Sequence, residues 1–221
     1  MRKIVGLMGV KGSGKDTGAR YLTEELGFVR IGFADALYKE VADAFGVTVE
    51  FLGNRDTKES DLPQLALAHC RDAAFVRAVR EEEGAEAFPD YEQFLLAPRS
   101  PRFVLQLWGT EYRRRRGVDS YWLDIVQAAI EANPQRSFVV TDVRFNNEAN
   151  FIEAMRGTLI RVRRPDLEAR EAAERSKNGR AAHPSETELL TRRVDHEVVN
   201  VEGHPDSLRQ GIFAALEPVS A

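Results

Sequence analysis

Cysteine is all but missing from this chain: Cys70 stands alone among 221 residues. A single thiol cannot close an internal disulfide, and such sparing use suits a reducing compartment. The four histidines are scattered, and His69 beside Cys70 lacks the spacing of zinc ligands. No apolar run approaches the roughly 18–20 residues that a membrane-spanning helix needs. The apolar stretch behind Met1-Arg2-Lys3 runs straight into KGSGKD, with no small-residue cleavage site. The expectation is a soluble, cytoplasmic protein with no membrane partner. A large charge excess is absent too: 31 basic against 35 acidic residues give −4, so nothing global supports a non-specific hold on nucleic acid. There is no internal repeat, no low-complexity tract and no G-x-S-x-G nucleophile elbow.

What is present is an ordinary globular composition, 43% hydrophobic and 30% charged, at a length suited to one α/β domain with insertions. Ile4–Met8 reads as a buried strand. Ala19, Leu22 and Leu26 then recur at helical spacing from Lys15 until Gly27 stops them. A strand over Phe28–Phe33 and a helix over Ala34–Phe45 follow. Residues 46–63 show no clear period, and Gln64–Glu83 is predicted as a helix. Ser100-Pro101 marks an N-cap with proline at the first position, so 102–115 should be helical, as should 119–132. SFVVT (137–141) is the strongest buried-strand signal; a helix over 147–155, a strand over 158–162, a strand over 197–201 and a helix over 207–216 complete the pattern. Strands alternating with helices predict a mostly parallel central sheet covered on both faces, a three-layer α/β fold. The stretches of about 34–100 and 164–192 read as insertions into a single domain.

Gly9-Val10-Lys11-Gly12-Ser13-Gly14-Lys15 stands between the first strand and the first helix, the context a phosphate-binding loop requires. Its glycines let backbone N–H groups turn inward, and the helix N-terminus adds partial positive charge. Lys15 is expected to set its ammonium against the β- and γ-phosphates of ATP. After Lys15 the motif calls for Ser or Thr, whose hydroxyl meets Mg²⁺; here Asp16 precedes Thr17. Asp16 either acts on the metal through water, acts on the phosphate acceptor, or favours the positive helix end. Thr17 is expected at phosphate.

Asp142 follows SFVVT, where a metal-orienting carboxylate or a helix-capping Asp would both belong. Arg144 lies two residues on, placed to grip a phosphate with two parallel bonds. Arg113 to Arg116 cannot all face one way on a helix, so at most two point to a site and the rest are solvated. A nucleic-acid patch there would lack basic or aromatic support nearby. Arg161, Arg163 and Arg164 cluster at the end of the 158–162 strand; Arg161 and Arg163 alternate with Val162 and so share a face, and arginines entering the second insertion suit a lid closing over a transferring phosphoryl group.

GVKGSGKDT (9–17), FADALYKE (33–40), LQLWGTEYRR (105–114), TDVRFNNEA (141–149) and HPSE (183–186) together resemble the deoxynucleoside monophosphate kinases of bacteriophages. The resemblance runs through most of the chain, although 46–100 is unmatched, and GKDT is the family's own form of the loop. It implies an adenylate-kinase-like P-loop NTPase fold that moves the γ-phosphoryl of ATP, with Mg²⁺, onto a deoxynucleoside monophosphate, dGMP and dTMP foremost. It further implies that Gly12, Gly14, Lys15, Asp16 and Thr17 hold ATP phosphates and Mg²⁺, with Gly9, Lys11, Ser13 and Arg163 on the same side. Asp35 and Lys39 would face the acceptor, Gln106, Thr110 and Glu111 would shape its base and sugar pocket, and Arg114 and Arg144 would hold its phosphate. Arg113 stands where a small residue is expected, so which of Arg113 and Arg114 points inward stays open, as does the role of HPSE. Closure of both insertions on acceptor binding is expected to exclude water. The partners implied are small nucleotides, with a homodimer left open and no stable nucleic-acid complex; a phage-encoded protein would work in the host cytoplasm. Rival readings are a kinase of another small acceptor, such as dephospho-coenzyme A or phosphomevalonate, a DNA-associated ATPase, or a P-loop domain retained for assembly.

Overall fold

Short apolar runs flanked by glycine or polar turns fold here as strands, and those at Ile4–Met8 and Phe138–Val140 are buried at every residue. The computed structural model describes residues 2–83, 90–115, 117–170 and 188–217. In chain order the elements are β1 (Ile4–Met8), α1 (Lys15–Leu26), β2 (Val29–Ile31), α2 (Phe33–Phe45), α3 (Val49–Gly53), α4 (Ala73–Glu83), α5 (Tyr91–Leu96) and α6 (Pro101–Gln106). A π-helix (Leu107–Arg115), α7 (Tyr121–Glu131), β3 (Phe138–Val140), α8 (Asn146–Ala154), β4 (Thr158–Arg163), β5 (His196–Val199) and α9 (Pro205–Ala214) follow. The chain divides into two compact units, residues 1–33 with 126–221, and residues 34–125.

The first unit holds a five-stranded sheet in the order β2-β3-β1-β4-β5, parallel at every pairing. Val5 and Leu7 of β1 point to one face. There they join Ala19 and Leu22 of α1, Leu208 and Ile212 of α9, and Val139, Ile160, Val162 and Val198 of the neighbouring strands in one core. Burying each Val, Leu or Ile among them contributes roughly 1.5–3 kcal/mol. The opposite face is closed by α8. A Cβ added at Gly6 would lie 3.0 Å from Ile152 and from Leu159, so only glycine lets α8 sit this close. Helix, sheet and helix form the three-layer α/β arrangement that the alternation of strands and helices predicts.

The second unit is helical around an aromatic cluster. Phe75 lies 4.5 Å from Trp108, 5.5 Å from Tyr112 and 6.3 Å from Phe45 between ring centroids. Arg99, 5% exposed, is tied to Glu83 at 2.8 Å.

Local competition moves several boundaries. Instead of one helix over 64–83, two 3₁₀ turns (Pro63–Leu65 and Leu67–His69) precede α4. Asp72 starts that helix afresh, its Oδ1 accepting from the amides of Ala74 and Phe75. The aperiodic stretch 46–63 contains α3, capped by Thr48 Oγ1 accepting from Phe51 N–H at 3.1 Å. The helix begun at Ser100 does cap there, from Phe103 N–H, but it leaves α-geometry after Gln106. β2 is shorter than 28–33 because Phe33 already opens α2, and β5 runs 196–199 rather than 197–201.

Burial pushes the Cys70 thiol up from 9.0 to about 11, outweighing its hydrogen bond to the Asp72 carbonyl. Alkylation at pH 8 should therefore run at least about tenfold slower than for a free cysteine. A labelling time course checks this, and reaction at the free-thiol rate would refute it.

Candidate active site

The loop after β1 is shaped by glycines that no other residue could replace. Gly9 has φ +140, and a Cβ there would sit 2.3 Å from the Val162 carbonyl oxygen. Gly14, left-handed at φ 110, heads α1 where a capping side chain would ordinarily stand. The first turn of α1 therefore presents its amides with no cap side chain over them, the arrangement that suits an anion. Lys15 Nζ donates to the carbonyls of Gly9 at 2.7 Å and Val10 at 2.8 Å, which fixes the ammonium against the loop. Lys11, Gly12 and Asp16 are exposed, Thr17 is half-buried and Ser13 is buried. Asn200, just past β5, braces the loop from behind. Its Nδ2 donates to the Ser13 carbonyl at 2.8 Å and fills the space where a Gly14 Cβ would be, 2.5 Å away.

The end of the adjacent strand β3 is pinned residue by residue. Thr141 N–H reaches Ile31 O at 3.2 Å and Val143 N–H reaches Leu7 O at 3.3 Å. Asp142 Oδ1 accepts from Phe33 N–H, the first residue of α2, at 2.9 Å. Glu148, 2% exposed, turns one oxygen back to accept from the amides of Arg144 and Phe145 at 2.7 and 3.1 Å. The Arg144 backbone is thus fixed while its side chain is exposed, and no described residue pairs with its guanidinium. Since β1 and β3 are parallel neighbours, the glycine loop and Arg144 emerge at the same carboxyl edge of the sheet, where open α/β sheets bind ligands.

At the end of β4 the arginines are engaged with carboxylates. Arg161 pairs with Glu197 at 2.8 Å and also donates to the carbonyls of Leu189 and Arg192. Arg163 holds Glu168 at 2.6 Å, and that hydrogen bond keeps the Glu168 carboxyl below the usual range. The helical stretch 165–170 is thereby tied back to β4. There Leu167 lies 3.2 Å from the position of a Gly12 Cβ.

In the second unit Asp35 and Lys39 are exposed, one turn apart on α2. Gln106 ends α6, and Thr110, Glu111, Arg113 and Arg114 all lie on the π-helix. Arg113 does not extend into solvent. Its Nε donates to Glu40 at 2.8 Å, and its guanidinium lies 4.7–5.5 Å from the ring centres of Trp108, Tyr112 and Tyr121. Burial works against that charge, but the Glu40 carboxylate more than offsets it and holds the Arg113 pKa above its ordinary value. Arg114 is half-buried and Arg115 reaches Glu111 at 3.7 Å. Arg116, HPSE (183–186) and most of the 164–192 insertion lie outside the described residues.

Sequence reasoning missed Glu40, Asn200 and Glu168, which act through partners far away or on a turn with no motif. Glu148 stands inside TDVRFNNEA, three residues after the N-cap Phe145, which is the spacing of a capping box.

No protein-family model matches the chain. It is 31% identical to the deoxynucleoside-5'-monophosphate kinase of Escherichia phage T5 over 99% of both chains. To an Acanthamoeba polyphaga mimivirus protein named "Putative deoxynucleotide monophosphate kinase" it is 31% identical, over 84% of this chain and 81% of the viral one. Among solved structures, a dephospho-CoA kinase from Campylobacter jejuni is similar at 15% identity and a TM-score of 0.43, over 96% of this chain and 95% of that one. That likeness is too distant to carry an argument.

Proposed function

This chain belongs to the deoxynucleoside monophosphate kinases, and on that premise we propose that it moves the γ-phosphoryl group of ATP onto a deoxynucleoside monophosphate, dGMP and dTMP foremost, giving the diphosphate and ADP. The observation that carries this reading is the pairing of two phosphate-directed features at one sheet edge. One is the glycine loop with its anchored Lys15; the other is the exposed, rigidly mounted Arg144. The two together suit transfer between two phosphate groups, one held by the loop and one met by Arg144.

The backbone of Gly9, Lys11, Gly12, Ser13 and Gly14, with Lys15 and Thr17, binds the ATP phosphates, and Arg163 steadies the segment over that loop. Asp16 and Thr17 would hold Mg²⁺. Their carboxylate and hydroxyl are the hard oxygen donors it prefers, and among the described residues no cluster of three acidic, His or Cys side chains offers a protein-only cage. When bound with the nucleotide, Mg²⁺ neutralises charge on the phosphate oxygens. Asp142 holds the start of α2, and Arg144 and Arg114 orient the acceptor phosphate. Asp35, Lys39, Gln106, Thr110 and Glu111 recognise the rest of the acceptor, while Arg113, expected among them, is committed to Glu40 and three aromatic rings and acts as a support. Little covalent chemistry falls to the protein. The side chains bring two anionic groups into line, offset their repulsion and keep water out.

Incubation with ATP, Mg²⁺ and each deoxy- and ribonucleoside monophosphate in turn tests the reading. Diphosphate from deoxy acceptors is expected. ADP without diphosphate, or diphosphate only from dephospho-coenzyme A or phosphomevalonate, would overturn it. The loop brace gives a second check: Asn200→Ala removes one hydrogen bond, worth about 1 kcal/mol. It should raise KM for ATP about fivefold while leaving KM for the acceptor unchanged; an unaltered ATP KM would show that Asn200 does not support the loop.

A further inference from the structure

A nine-residue π-helix is unusual, since i→i+5 bonding occurs mostly as single-turn bulges. Something must select it over the α-helix that begins at Pro101. Glu40 is placed to do so. Its Oε2 accepts from Trp108 Nε1 at 2.8 Å and from Arg113 Nε at 2.8 Å, while its Oε1 accepts from the Tyr121 hydroxyl. Trp108 and Arg113 are five residues apart. Around an α-helix of 3.6 residues per turn that separation leaves side chains about 140° apart, too far round to share one carboxylate oxygen. In π-geometry, where the hydrogen bonds run i→i+5, residue i+5 comes far closer to the face of residue i.

Packing reinforces the clamp. Leu37, one turn before Glu40 on α2, lies against Gly109, where a Cβ would meet it at 3.1 Å. The Gly109 carbonyl also accepts from Trp122 Nε1 at 3.2 Å. Aromatic faces of Trp108, Tyr112 and Tyr121 close around the Arg113 guanidinium, so the charge pair is shielded and oriented.

The geometry points to Glu40 as the positioning residue that sets the helical phase of residues 106–115 and thereby the recognition of the acceptor nucleoside. The same five-residue repeat that aligns Arg113 with Trp108 aligns Glu111 with Gln106, two half-buried polar side chains on one side of the segment. In α-phase Glu111 would turn well away from Gln106. Glu40 itself touches no reacting atom; it acts through Trp108 and Arg113. This inference rests on the proposed acceptor role of Gln106 and Glu111.

Three variants test it. Glu40→Ala should raise KM for the deoxynucleoside monophosphate at least about thirtyfold, with KM for ATP within about twofold of wild type. Glu40→Gln should recover to within about fivefold, because its amide oxygen can take both N–H donors while its NH₂ donates to Tyr121. Trp108→Phe removes one arm of the clamp at a residue 2% exposed, too buried to touch substrate, and should raise the same KM about tenfold. It decides the matter if Glu40→Ala does not fold. Amide exchange of residues 107–115 should accelerate at least tenfold in folded Glu40→Ala, with α1 unchanged. Equal losses toward ATP and acceptor, or unchanged exchange over 107–115, would overturn the proposal. The exchange readout stands even if the wild-type protein phosphorylates no deoxynucleotide, an outcome that would defeat the functional reading instead.

Discussion

Lys15→Ala is expected to lower turnover by two to three orders of magnitude, about 3 kcal/mol or more of lost transition-state stabilisation, the scale set by removing one preorganised electrostatic group. The reasoning starts from the loop. Two carbonyls, of Gly9 and Val10, hold Nζ at 2.7 and 2.8 Å, so the charge is fixed before any phosphate arrives and little reorganisation is left for the reaction. Lys11 cannot substitute: it is exposed at the loop tip, and no described residue orients its ammonium. Lys15→Arg should rescue poorly, since a planar fork does not fit a pocket built for a compact ammonium. The two hydrogen bonds lost are worth about 0.5–1.5 kcal/mol each, so thermal stability should fall only slightly while activity collapses. Steady-state kinetics beside a melting curve separates the two effects; near-normal turnover in a folded variant would remove the assignment of this loop to the ATP phosphates.

Elements whose causes are local were legible. β1 and α1 have the bounds predicted from an apolar run, a glycine loop, helical spacing and a glycine stop at Gly27, which indeed adopts φ 68. Ser100 announced its own cap. Where competition was decided by distant groups, the pattern gave no hint. Leu67 and Phe75, eight residues apart, and Phe75 and Val79, four apart, fit helical spacing, yet Asp72 interrupts the run by capping a new start. Nothing in LQLWGTEYRR distinguishes α from π geometry, because the selecting carboxylate stands 68 residues before Trp108. The same holds for the arginine run. Periodicity limited how many could share a face, but only the Glu40 pair and three aromatic rings show that Arg113 is held inside the second unit. On the phosphate side, DVRF located Arg144, whereas its rigidity comes from Glu148 and from strand partners that only the folded sheet supplies.

That rigidity makes Arg144 the second sensitive position. Arg144→Ala should reduce kcat/KM for the deoxynucleoside monophosphate about a hundredfold while KM for ATP stays within about twofold. From Thr141 to Phe145 every residue is held, Asp142 by its side chain on Phe33 and the others by their backbone amides on Ile31, Leu7 and Glu148, so the guanidinium starts from a fixed base and gives up little freedom on meeting a phosphate. Its two parallel N–H donors also set the phosphate's orientation, which a point charge cannot do. Arg144→Lys should therefore recover binding better than turnover: the charge returns, while the in-line alignment that two donors impose does not. Stability should barely change, because the side chain is exposed and the hydrogen bonds that organise this turn use the Arg144 amide, which alanine keeps. A loss confined to ATP, with the acceptor KM intact, would place Arg144 on the donor side of the reaction and leave the acceptor phosphate to Arg114.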